Sequence, residues 1–103
     1  MHKGQQGDVN YERVSSIPAE AQQVSPVNGR FILAEGEATG HAHAIADKIE
    51  LFEKNGILYM RNDHPVSLVH EEHHSQTIEP GIWEITATHE YDYFTELVRL
   101  IED

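Results

Sequence analysis

Two short runs hold most of the side chains in this sequence that could do chemistry: His41-Ala42-His43 and His70-Glu71-Glu72-His73. The chain has eight histidines, and six of them (His41, His43, His64, His70, His73 and His74) fall within residues 41–74. On a strand, alternate residues share a face. His41 and His43 would therefore project two imidazoles to one side, about two residues of rise apart, a spacing suited to chelating one divalent ion. A neighbouring strand bearing His70 would supply a third nitrogen. Strict alternation puts His70 and His73 on opposite faces, so both reach one metal only if the strand bulges or ends between them. Glu72 shares the face of His70. The preferred ligand set is His41, His43 and His70, with His73, Glu72 or a water in the fourth position.

The sequence has no cysteine, which removes disulfides, zinc-thiolate sites, iron–sulfur clusters and thiol nucleophiles together. Ligation by nitrogen, or by nitrogen and carboxylate, suits Zn, Ni, Cu or Fe(II), and spacing does not separate these divalent transition metals. His70-Glu71-Glu72-His73 is not the zinc-protease signature, which needs two histidines four apart on a helix. Glu37, Glu71 and Glu72 are the nearby candidates for a general acid or base if the metal is catalytic.

Charge points the same way. The chain carries 18 Asp plus Glu against 7 Lys plus Arg, a formal charge of -11, and no Lys or Arg occurs from residue 62 to residue 98. That field attracts a cation and repels a phosphate backbone or an anionic membrane surface, so neither nucleic acid nor membrane is an expected partner. No run approaches the roughly 18 apolar residues a membrane helix needs, and residues 1–6 lack an apolar signal core. A cytoplasmic location is expected.

The elements that must position the histidines read as strands. At 103 residues the chain forms one domain. Residues 1–29 are polar and broken by Gly4, Gly7, Pro18, Pro26 and Gly29, which reads as an N-terminal arm. A single β-rich domain is expected over 30–103. Phe31-Ile32-Leu33-Ala34 is a short apolar run, and residues 41–45 alternate. Lys54-Asn55-Gly56 between two β-prone runs is a hairpin signal. Residues 66–72 alternate again, a turn is expected at 73–76, and residues 82–88 form a last strand. Phe94, Leu97, Val98 and Ile101 recur at helical spacing behind Asp92, which predicts a short C-terminal helix. The expected fold is all-β, a small barrel or sandwich. A small β domain with edges to cover is also expected to form a homo-oligomer.

Residues 34–43, 68–73, 80–85 and 90–92 together resemble a family of small uncharacterised bacterial proteins of about this length, with Gly40-His41-Ala42-His43 and His70-Glu71-Glu72-His73 as the GHxH and HxEH motifs. That resemblance implies no particular activity. More loosely, the His-x-His pair followed by a later histidine is similar to cupins, small β-barrels that hold a metal in this way. The similarity implies His41, His43 and His70 as ligands. The carboxylate expected after the second histidine would fall near Asp47, at a different spacing.

Three functions follow from these observations. The first is a small metal-binding protein whose ion is structural or serves binding. The second is a cupin-like metalloenzyme using three histidines, with Glu72 or His73 assisting. The third is an acidic, oligomeric interaction module with no metal.

Overall fold

The computed structural model describes residues 3–35 and 41–87. These form ten strands: β1 (Lys3–Gln6), β2 (Val9–Arg13), β3 (Gln22–Val24), β4 (Phe31–Glu35), β5 (Ala42–Ile45), β6 (Glu50–Lys54), β7 (Ile57–Asn62), β8 (Val66–His70), β9 (His73–Ile78) and β10 (Gly81–Ala87). Among the described residues there is no helix long and apolar enough to cross a membrane.

The strands make two antiparallel sheets, one of six strands in the order β1-β2-β10-β7-β6-β3 and one of four in the order β4-β5-β8-β9. Their inner faces share a single core. Val9, Tyr11, Leu51, Met60, Trp83 and Ile85 come from the larger sheet, and Phe31, Leu33, Ile45, Val66, Leu68 and Ile78 from the smaller. Period-2 alternation accounts for this burial, most plainly in β8, where Val66, Leu68 and His70 are buried and Ser67 and Val69 exposed.

Three expectations are corrected. The sheets are separate and neither closes on itself, so the fold is not the small barrel that the cupin similarity implied. The described part of the expected N-terminal arm, residues 3–29, instead supplies β1, β2 and β3 to the larger sheet. Val9 and Tyr11 lie opposite Ala87 and Ile85 of β10 and are buried, while Asn10 between them is half-buried and Glu12 and Arg13 after them are exposed. Long-range pairing overrides the local turn signals there. The turn expected at 73–76 is also displaced, because it occupies Glu71 and Glu72 and residues 73–76 belong to β9. The predicted C-terminal helix lies outside the described residues.

The hairpin read from Lys54-Asn55-Gly56 is present, with Glu53 opposite Leu58 and Lys54 opposite Ile57. Asn55 and Gly56 have φ of 54° and 81°, the left-handed pair that a two-residue hairpin turn requires. A Cβ on Gly56 would meet no atom within 4 Å, so a substitution there tests backbone conformation alone. Gly56→Ala is expected to cost about 1 kcal/mol, read as a lower urea midpoint with an unchanged slope.

The first sheet's edge strand β1 lies beside β9 of the second, and side chains span the seam between them. Gln76 Nε2 donates to the Gln5 carbonyl, the Tyr11 hydroxyl donates to Gln76 Oε1, and the Gln6 amide reaches across to Leu68 and His74.

Candidate metal centre

The histidines gather where the inner face of the four-stranded sheet reaches the end of the core. His43 shares its strand face with Ile45, a core residue, and His70 continues the buried row of Val66 and Leu68. His73 arrives by a change of register. Val66, Ser67 and Leu68 pair with Ile78, Thr77 and Gln76, and an irregularity after Leu68 then sets His70 opposite His73. Without that one-residue shift His74 would face His70. Strand end and bulge together bring His70 and His73 to one side.

One ring nitrogen from each of His43, His70 and His73 lies within 4.8 Å of the others. The ring centroids are 4.3 Å apart for His43 and His70, 4.7 Å for His70 and His73, and 5.6 Å for His43 and His73. His43 and His70 are buried and His73 is exposed, so the cluster has a dry side and a solvent side.

Hydrogen bonds orient two of the rings. His43 Nδ1 is 2.9 Å from Gln6 Oε1, and the Gln6 Nε2 donates to the Leu68 and His74 carbonyls, each at 2.9 Å. The Glu72 backbone N–H donates to His70 Nδ1 at 3.0 Å. An N–H can only donate, so this bond puts the proton of neutral His70 on Nε2. The β1–β2 turn packs against the same group. A Cβ on Gly7, whose φ is 57°, would sit 2.7 Å from His73 Nε2 and 3.1 Å from His43 Cε1, so only glycine permits this approach.

His41, expected as a ligand, and Glu72, expected as an alternative for the fourth position, are not among the three residues whose nitrogens converge, and they approach each other instead. His41 Nδ1 is 3.4 Å from Glu72 Oε2 and has no hydrogen-bond partner among the described residues. The His41 ring meets His70 edge-on at 5.9 Å. Glu71 ties the β8–β9 turn to the start of β5 by accepting the Ala42 N–H at 3.0 Å. That bond, with its own backbone N–H, holds the Glu71 carboxyl below its ordinary value. His64 stands apart, its Nδ1 2.7 Å from Asp63 Oδ1, and this contact lowers the Asp63 carboxyl. Glu37 lies outside the described residues.

Sequence reasoning passed over Gln6 and read Gly7 only as a break in the polar N-terminal segment, not as a neighbour of the histidines. Each lies more than thirty residues from the histidine runs in a segment read as loop, and no local pattern marks either.

The family model described as "Domain of unknown function (DUF8820)" matches residues 5–88, a span that takes in Gln6, Gly7 and all three clustered histidines. No curated protein and no solved structure matches the chain.

Proposed function

We propose that this chain, which belongs to the DUF8820 family of domains of unknown function, binds one divalent transition-metal ion on His43, His70 and His73. The observation that carries the reading is the convergence of three imidazole nitrogens within 4.8 Å on the inner face of one sheet. Tetrahedral zinc, with bonds of about 2.0–2.1 Å, holds its nitrogens about 3.3 Å apart, so nitrogens lying within 4.8 Å of one another need close by at most about 1.5 Å. His73 is the member placed to move, being exposed and at the first position of its strand.

The ion's role in this reading is structural or binding. It would join β5, β8 and β9, strands already adjacent in one sheet, and tie down the Glu71–Glu72 turn. The surplus of acidic residues supports a cation, and three nitrogens without thiolate suit Zn, Ni, Cu or Fe(II) equally. Ligation by His70 has a local consequence. Through Nδ1 the ion must displace the Glu72 N–H, and through Nε2 it must displace the proton that this N–H fixes there.

The test is calorimetric titration of tag-free protein with zinc, together with metal analysis of the protein as purified. One equivalent bound per chain, with the Glu72 amide resonance moving on zinc addition, is the expected result. No metal as purified and no heat of binding would refute the reading and leave a hydrogen-bonded histidine cluster in an interaction module.

A further inference from the structure

The geometry points to Gln6 as the positioning residue of this centre: it holds His43 in the tautomer whose Nε2 is the ligand atom. The purpose assigned to Gln6 rests on the metal-binding reading above, while the tautomer rests on hydrogen bonds alone.

Gln6 is polar yet only 1% exposed, on the last position of β1 in the sheet opposite the histidines. Every atom of its amide has a fixed role. The Leu68 and His74 carbonyls can only accept, so the amide nitrogen must face them, and its two N–H groups are then both used. The amide oxygen is left facing His43 Nδ1 at 2.9 Å. An oxygen of this kind accepts, so Nδ1 carries the proton, and a neutral imidazole has only one. The lone pair therefore lies on Nε2, the reverse of the tautomer that free histidine favours in water. A metal takes an unprotonated nitrogen, and the hydrogen bond made by one ring nitrogen decides that the other is available. Because Leu68 belongs to β8 and His74 to β9, the amide also fixes the His43 ring relative to His70 and His73.

Long-range proton–nitrogen correlation spectra of the isotopically labelled, metal-free full chain at mildly alkaline pH read the tautomer directly. Wild-type protein is expected to show His43 protonated at Nδ1, and on addition of zinc to keep that proton while the Nε2 resonance shifts. In Gln6→Met, which matches the length but offers no amide, His43 is expected to revert to the Nε2–H form and zinc affinity to fall about tenfold or more. Wild-type His43 protonated at Nε2, or Gln6→Met with unchanged zinc affinity, would overturn the assignment. Should Gln6→Met fail to fold, the wild-type spectrum decides. A wild-type chain that shows the Nδ1–H tautomer and takes up no zinc upholds the role of Gln6 toward His43 and removes the metal-binding reading.

Discussion

Replacement of His43 by alanine should give a chain that takes up no zinc and is also less stable in the absence of metal by about 2–5 kcal/mol. The two losses have separate origins. His43 is 2% exposed, so truncation leaves a cavity with the volume of an imidazole and strips Gln6 Oε1 of its donor inside a dry region. In the proposed centre, metal binding would be lost because one of the three nitrogens has gone. His73→Ala separates these effects: His73 is exposed, so its removal should change metal-free stability by no more than about 0.5 kcal/mol while still abolishing zinc uptake. Scanning calorimetry with and without zinc checks both. For wild-type protein at a zinc concentration a hundredfold above Kd, binding adds about 2.7 kcal/mol, a rise in Tm of about 10–20 °C for a chain of this size. Neither variant should show that rise. A His43→Ala chain as strongly stabilised by zinc as wild type would show that the ion sits elsewhere.

The second large effect is expected at Trp83, the chain's lone tryptophan. It is 2% exposed in the central strand pair β10–β7, opposite Met60, and meets Tyr11 edge-on at 5.7 Å. The Arg13 guanidinium lies 4.6 Å from its ring centroid, and the indole N–H donates to the Glu79 carbonyl at 3.0 Å. Trp83→Ala should cost about 3–5 kcal/mol, a large part of the roughly 5–15 kcal/mol that stabilises a typical domain. Urea unfolding followed by far-ultraviolet circular dichroism should then show a chain partly unfolded before denaturant is added. Trp83→Phe should cost far less, about 1–2 kcal/mol, because the core keeps an aromatic ring. The Glu79 carbonyl also keeps the Asn62 Nδ2 as donor at 3.1 Å, so losing the indole leaves no orphaned acceptor. Equal losses in the two variants would mean that the indole N–H, not the ring, matters at this position.

What could be read from the sequence divides by how local the determining interactions are. The hairpin around Asn55-Gly56 was legible because turn chemistry and flanking strands lie within a dozen residues. The region 1–29 was not, since β2 gains its burial from β10, about seventy residues away, and β1 is a polar edge strand that looks like loop in isolation. The spacing of the short strands allowed either a barrel or a sandwich, and only the long-range pairing shows two open sheets in place of a closed barrel.

The site divides in the same way. The dense histidine segment and the need for a bulge or strand end between His70 and His73 were readable from alternation. Which histidines converge was not. That choice depends on a one-residue register change after Leu68 and on a turn that directs Glu72 toward His41. Gln6 carried no signal at all, because its part is set by two distant main-chain carbonyls.

The seam between β1 and β9 gives the molecule an uneven mechanical strength. Within each sheet, strands are joined by backbone ladders that a shearing load must break many rungs at a time. Across the seam, the hydrogen bonds among the described residues run through side chains, so a pull that separates β1 from β9 loads the amides of Gln6 and Gln76 one after another, as in peeling. Stretched in that direction, the protein should yield first at this line and at low force, and the first parting would uncover the histidines while both ladders were still intact.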